Sequence, residues 1–302
     1  MNMTKRTCLF GILASLALTG LASSSAARAE NCETPPVIRF SMIPLGDIER
    51  EIRRYQPLLK RIEEATGRPV SVVRPTSYAS VVEGLLGGAI DIASLGPASY
   101  VEASGEDEHL TPFATTEKRE GVFQVKGPYY HAMLVVLAGS RFADVASLKG
   151  AHLALTDPGS TSGSLLPRKQ FVPGLGMALE SYFGAISFSG SHAKSAMALA
   201  RGEVDAAFIA SAQLEEASIS GTLPASQVRV LWKSEPIPYD PFVLRGQLCE
   251  NVRKEIRSAF LGDAATASLR ELLNGFNATR FIPVNDSHYA GIRKLLDKAP
   301  KK

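Results

Sequence analysis

Short apolar runs alternate with longer amphipathic stretches along most of this chain. Residues 37–43 form a strand-type run that ends at Pro44-Leu45-Gly46, and Asp47 is placed to cap a helix. In that helix Ile48, Ile52, Tyr55, Leu58, Leu59 and Ile62 recur at helical spacing, and Gly67 ends it. Residues 70–73 read as a second strand. Thr76-Ser77-Tyr78 opens a helix carrying Val81, Val82, Leu85 and Leu86, and residues 90–93 form a third strand after Gly87-Gly88. Strand, helix and strand at this spacing predict a parallel α/β sheet.

Residues 112–127 have no clear period. Met133 to Leu137 is a buried-strand pattern, and a second α/β run begins at Leu148-Lys149-Gly150. It predicts a strand over 151–155, a helix after Ser160-Thr161-Ser162, and a strand over 185–188. A helix with Ala196, Met197 and Leu199 and a strand over 204–209 follow. Strands over 228–232 and 242–244 flank a Pro-rich crossing, and the chain from Asn251 onward reads as mostly helical, ending in the basic tail of Lys298, Lys301 and Lys302. Residues 86–93 resemble residues 200–207: in both, a helix ends, a Gly turn follows and a strand begins at Asp91 or Asp205. The period is far too long for a solenoid and suits two similar α/β lobes, although chance similarity between two such units accounts for it equally well. Crossings near Leu137 and Asp240 predict one lobe from 30–137 plus 241–302, a second from 138–240, and a hinged cleft between them.

Composition narrows the function. The chain has 302 residues and a formal charge of +3. Lys5, Arg6 and Arg28, in the first 29 residues, account for that whole excess, so the remainder is neutral. Bulk charge for a nucleic-acid partner is therefore missing, and any anion must be held by a local site. Those first residues have the make-up of a secretory leader: a basic start, an apolar run over 9–22, and Ala27-Arg28-Ala29 as a cleavage site. The mature chain is expected to begin at Glu30 and to reside in the periplasm. Cys8 leaves with the leader, and Cys32 and Cys249 either pair in that oxidising compartment or remain two thiols. The five His and these Cys have no metal-ligand spacing, so no metal and no cofactor is expected.

The candidate chemistry lies in Thr156-Asp157-Pro158-Gly159-Ser160-Thr161-Ser162-Gly163. Three hydroxyl residues follow a strand and open a helix, where unpartnered N–H groups and the helix dipole favour an anion. Gly163 is expected to let an oxyanion approach the backbone. An ordinary Ser-rich helix cap fits the same residues equally well.

Taken together, the motifs resemble the periplasmic phosphate/phosphite/phosphonate-binding proteins that serve ABC importers. The matching stretches are Tyr78-Ala79-Ser80-Val81-Val82-Glu83, Ile90-Asp91-Ile92-Ala93, Tyr130, Leu148-Lys149-Gly150, the Asp157–Gly163 segment with Pro167, Ser189-Gly190-Ser191-His192, and Pro238-Tyr239-Asp240-Pro241. The resemblance spans essentially the whole mature chain. It implies the two-lobe type II periplasmic-binding fold and a monomeric, non-enzymatic protein that passes a small phosphorus oxyanion to an ABC permease. It also implies ligand contacts from Tyr78, Tyr130, Ser160, Thr161, Ser162, His192 and Asp240. Tyrosyl, seryl and threonyl hydroxyls and the imidazole can all donate, whereas an ionised Asp240 can only accept and would face a P–OH or a ligand amine.

One departure bears on the ligand. Members that bind aminoalkylphosphonates carry a second acid for the ammonium, and that position falls here on Ala212, beside Gln213. Glu215 and Glu216 are expected on a solvated helix face. An aminoalkylphosphonate is therefore not the expected preferred ligand; phosphite, phosphate or methylphosphonate fits better. Two other functions use the same residues. The protein could sense its ligand for a membrane histidine kinase or bind another oxyanion, and Ser160, His192 and Asp240 include the residue types of a hydrolase triad.

Overall fold

The computed structural model describes residues 32–262 and 265–297. The expected leader, the start at Glu30 and the basic tail lie outside them. The described strands, β1 to β13 in chain order, form two large sheets and one two-stranded ribbon. The first sheet contains β1 (Ile38–Met42), β2 (Val70–Val72), β3 (Ile92–Ser94), β4 (Thr111–Lys118), β12 (Phe242–Leu244) and β13 (Ala278–Pro283), in the order β13-β4-β12-β3-β1-β2. The second contains β6 (Ala132–Leu137), β7 (His152–Leu155), β8 (Ala185–Phe188), β9 (Ala206–Ala210) and β10 (Val228–Lys233), in the order β10-β6-β9-β7-β8. In the ribbon β5 (Tyr129–Tyr130) pairs antiparallel with β11 (Ile237–Pro238), so the two segments that run between the sheets lie side by side.

Both sheets are mixed, not parallel throughout. β1, β2 and β3 run parallel, as do β7, β8 and β9, while β12, β4, β13, β6 and β10 pair antiparallel with their neighbours. The inner strands β1, β3, β6, β7, β9 and β12 are buried on both faces, which is why they read as continuous apolar runs instead of alternating ones. In the second sheet Leu134, Val136, Leu153, Leu155 and Phe208 pack on one side, and Met133, Val135, Ala154, Ala207 and Ile209 on the other.

The helices follow the local signals closely. α1 (Ile48–Thr66) begins where Asp47 accepts a hydrogen bond from Arg50 N, and it ends at Gly67 in the left-handed region (φ 63°). Its periodic Ile52, Tyr55, Leu58, Leu59 and Ile62 are all buried in one core with α8. α2 (Tyr78–Leu86) has a reciprocal cap between Ser77 and Ser80, and α3 (Pro97–Glu106) starts at a proline. After β7 a wider helix with i→i+5 bonding covers Thr161–Leu165 and Pro167–Phe171. Single-turn α4 (Val172–Leu175) and α5 (Leu179–Tyr182) lead to β8. α6 (His192–Ala200), capped by Ser191, and α7 (Ser211–Ile219) flank β9. α8 (Glu250–Leu261), α9 (Ala265–Ser268), α10 (Arg270–Gly275) and α11 (Ala290–Asp297) complete the described chain.

Three expectations change. The division at Leu137 places β6 with the first lobe, but β6 is hydrogen-bonded to β10 and β9 in the second sheet. The sheet-to-sheet crossing therefore precedes Ala132. β4 occupies the stretch read as irregular. Its Thr115, Thr116 and Lys118 are buried and break the apolar signal. β13 occupies part of the stretch read as helical and forms an outer strand against β4.

The repeat around Asp91 and Asp205 recurs in the hydrogen bonding. Asp91 N donates to Arg39 O while Arg39 N donates to the Asp91 carboxylate (2.9 Å). Asp205 N donates to His152 O while His152 N donates to the Asp205 carboxylate (2.8 Å). Each Asp thus pins the strand beside its own. Cys32 and Cys249 form a disulfide spanning 217 residues, which ties the start of the described chain to the start of α8. In the chain-entropy account, closing so long a loop is worth about 5 kcal/mol against the unfolded chain.

Candidate functional site

All seven residues expected at the site line one small cleft. Tyr78, Tyr130, Ser160, Thr161, Ser162, His192 and Asp240 meet there with Ile43, Leu45, Gly96, Ala210, Gln213 and Tyr239, around a cavity of only about 10 Å³. No Lys or Arg is among them. The cleft lies beyond the carboxyl ends of β1 and β3 on one side and of β7 and β9 on the other. Ligands characteristically bind at that position in open α/β sheets. Its lining comes from the starts of α2, α3, the 161–171 helix, α6 and α7. First-turn N–H groups have no partner inside their own helix, so these converging starts make the cleft electropositive without a cationic side chain.

Local structure fixes each side chain. Tyr78 is the first residue of α2, and burial, the largest influence, pushes its phenol well above the usual range; its hydroxyl is hydrogen-bonded to Ser160. Tyr130 ends β5 with its ring edge-on to Tyr239, 5.4 Å between centroids. Ser160 caps the following helix by accepting from Gly163 N (3.0 Å). Thr161 Oγ1 accepts from Ala98 N (2.8 Å), at the start of α3, and so bridges the two sheet bodies. Asp240 is anchored through its carbonyl, which accepts from Thr115 Oγ1 (2.7 Å).

The tautomer of His192 follows from its neighbours. Ala210 N donates to Nδ1 (3.2 Å), and Thr156 Oγ1 is 2.9 Å from the same nitrogen. A backbone N–H can only donate, so Nδ1 accepts and the proton of the neutral ring sits on Nε2. Nε2 lies 3.1 Å from Ser162 Oγ and 3.4 Å from Ser160 Oγ, so its N–H is aimed among the cradle hydroxyls. Burial lowers the imidazole pKa to about 3, which keeps it neutral at physiological pH. This arrangement is not a hydrolase triad. No carboxylate among the described residues reaches Nδ1, where a triad needs one, and Asp240 is elsewhere in the cleft.

Asp240 departs from the simple acceptor expected of it. Burial raises its pKa to about 7; the Lys118 charge and a hydrogen bond from Tyr130 pull it only partly back. Near neutral pH the carboxyl is populated in both forms, as acceptor and as donor. Gly163 also has a different role from the one expected. It does not line the cleft. A Cβ there would overlap Thr156 Oγ1 and Cβ, so the glycine makes room for the threonine that holds His192.

Sequence reasoning missed Thr156, Gln213 and Tyr239 as parts of the site, although the last two adjoin positions it singled out. It also missed a larger chamber, of about 320 Å³, that shares Leu45, Gln213, Tyr239 and Asp240 with the cleft. This chamber is charged. Arg50, Arg54, Lys118 and Glu216 line it, and Ala212 lies in its wall. Glu215 is not on a solvated face, and Glu216 is only partly exposed. Glu215 is buried and accepts from Phe123 N (2.7 Å), and Glu216 forms ion pairs with Arg54 (2.5 Å) and Arg50 (3.8 Å) across the two bodies.

Residues 40–289 match the family model described as the periplasmic substrate-binding protein of ABC phosphonate transporters. The chain is 30% identical to the phosphate-import protein PhnD of Mycolicibacterium smegmatis, covering 87% of this chain and 86% of that one. It is 28% identical to the phosphonates-binding periplasmic protein of Escherichia coli, over 94% and 83% of the two chains. A solved binding protein component of an ABC phosphonate transporter from Pseudomonas aeruginosa superimposes with a TM-score of 0.78 at 26% identity, covering 87% of this chain and 86% of that one.

Proposed function

The chain belongs to the periplasmic substrate-binding proteins of ABC phosphonate transporters, and from that premise we propose that it captures one small phosphorus oxyanion in the hydroxyl-lined cleft and presents it to an ABC permease. Phosphite, phosphate and short alkylphosphonates are the ligands that fit. The observation that carries this reading is the convergence of Tyr78, Tyr130, Ser160, Thr161, Ser162 and the Nε2–H of His192 on one space walled by both sheet bodies. Hydrogen bonds to a charged group contribute roughly 1.5–3 kcal/mol each, and micromolar binding requires about 8 kcal/mol. Five or six such donors reach that after the costs of ordering, without a cationic side chain.

Asp240 adds the protonation rule. As a carboxylate it accepts from a P–OH; as a carboxylic acid it donates to a P–O⁻. Either way one proton lies between ligand and protein, and a fully deprotonated oxyanion facing an ionised Asp240 is repelled. Because donors come from both bodies, the ligand favours a closed arrangement, with the β5–β11 ribbon as the hinge. The ligand is released intact, the protein acts as a monomer, and residues 1–29 direct export with cleavage near Glu30.

Calorimetry of refolded, ligand-stripped protein tests the reading. Phosphite, phosphate or methylphosphonate should bind at micromolar concentration or tighter, with sulfate much weaker. Failure of all three phosphorus oxyanions would refute it. N-terminal sequencing of the exported protein tests the cleavage site.

A further inference from the structure

The larger chamber holds groups that the oxyanion cleft does not use. Lys118 is buried, donates to Phe276 O (2.7 Å) and lies over the Tyr239 ring at 4.3 Å, but pairs with no carboxylate among the described residues. An ammonium has three donors, so Lys118 has capacity left for an acceptor in the chamber. Thr116 also lines the chamber, is 3% exposed, and its Oγ1 has no hydrogen-bond partner. A buried hydroxyl without a partner is unfavourable unless something fills the space beside it.

The other charges largely cancel. Arg54 is paired with Glu216 and with Glu51 (3.2 Å), and Arg50 shares Glu216. That leaves Lys118 facing Asp240. Burial lowers Lys118 to about 8 and raises Asp240 to about 7, so near neutral pH the ammonium is the more fully charged of the two. Ala212 places no carboxylate in the wall, and Glu216 already has its cations.

We propose that the chamber receives the organic substituent of the ligand and that this substituent ends in a carboxylate, held by Lys118 and Thr116, which makes a phosphonocarboxylate the preferred substrate class. This rests on the oxyanion reading of the adjoining cleft. The phosphonyl group sits among the cradle hydroxyls, the carbon chain passes Asp240 and Tyr239, which line both spaces, and the carboxylate supplies the anion that Lys118 lacks. Negative charge beside Lys118 also favours protonated Asp240, the form that donates to the phosphonyl oxygen. An ammonium at the end of the chain would instead meet Lys118 and the paired arginines.

The test is calorimetry of ligand-stripped protein with methylphosphonate, 3-phosphonopropionate, its uncharged amide, and 2-aminoethylphosphonate. The carboxylate should bind at least about tenfold more tightly than the amide, the size expected of a charge-assisted contact, and the amine more weakly than both. Lys118→Met should reduce the carboxylate-to-amide ratio to within about threefold, and Thr116→Val should reduce it by less. A wild-type ratio near one, or a preference for the amine, overturns the inference even if methylphosphonate binds. If methylphosphonate, phosphate and phosphite all fail to bind, the oxyanion reading falls and this inference falls with it. The wild-type ratio and the Thr116 variant decide the matter if Lys118→Met does not fold, as judged by its thermal melt.

Discussion

The cleft and the chamber share a wall but are lined in opposite ways. The cleft uses hydroxyls, helix starts and a neutral imidazole, with no cationic side chain in its lining. The chamber uses fixed charges, several of them already paired across the two bodies. The difference lies in what can be buried cheaply. Neutral donors held by caps and strand ends cost little to desolvate and are aimed before the ligand arrives. A buried charge is expensive until it is paired. Asp240 and Tyr239 stand at the boundary, and Asp240 has a raised pKa because burial outweighs the opposing pull of the chamber cation Lys118.

The largest effect that would sharpen this contrast comes from Asp240→Asn. The folded protein holds a proton on Asp240 up to about pH 7, whereas the unfolded chain releases it near 3.8. Wild-type stability therefore falls as pH rises between those values, and above pH 7 the buried charge carries its full penalty. Asp240→Asn should stabilise the ligand-free protein at pH 8 by up to roughly 4 kcal/mol, and the gain should vanish toward pH 4. Denaturant melts at both pH values measure it, and an equal gain at both would refute the assignment.

Next in size is His192→Ala. It removes the Nε2–H donor and should weaken phosphate or methylphosphonate binding roughly ten- to hundredfold by calorimetry. Gly163→Ala should produce much of the same loss, because its Cβ displaces the threonine that orients the ring. If Gly163→Ala binds like the wild type, the imidazole is not oriented in this way.

His192 also predicts an acid limb. The unfolded chain takes up a proton below about pH 6.5 that the folded ring refuses until about pH 3, so this contribution to stability is lost as pH falls through that window. It opposes the Asp240 contribution, so in Asp240→Asn the acid-side decline should be steeper than in the wild type. His192→Gln should remove it.

The smallest effect concerns the chamber's paired charges. Glu216→Gln removes the Arg54 and Arg50 contacts between the bodies, but the Glu216 side chain is 39% exposed and Arg50 57%. Oxyanion affinity should change by less than about 1 kcal/mol, and less still at high salt. A loss as large as that from His192→Ala would place the cross-body ion pairs, and not the hydroxyl cradle, at the centre of binding.

Much of this was legible in the order of residues. The Asp47 cap, the helix opening at Thr76–Tyr78, the Gly67 stop and the buried face of α1 are signals that act within a few residues, and all occur where expected. The seven cleft residues were found through motif resemblance, and the fold brings them together. β4 escaped notice because its Thr115, Thr116 and Lys118 are buried by partners far along the chain, and polar residues in a strand carry no apolar period; in β13 Thr279 and Arg280 interrupt the pattern.

Sequence alone determined the alternation of strands and helices, the neutral balance beyond the first 29 residues, and a hydroxyl-rich helix start suited to an anion. Those properties reside in residues and their near neighbours. Tertiary structure decided that β6 joins the second sheet, that Cys32 reaches Cys249, that His192 carries its proton on Nε2, and that Lys118 and an unpartnered Thr116, side by side on β4, both line an open chamber. Each of these depends on which distant atoms exclude water or lie within hydrogen-bonding reach, and only the folded chain brings those atoms together.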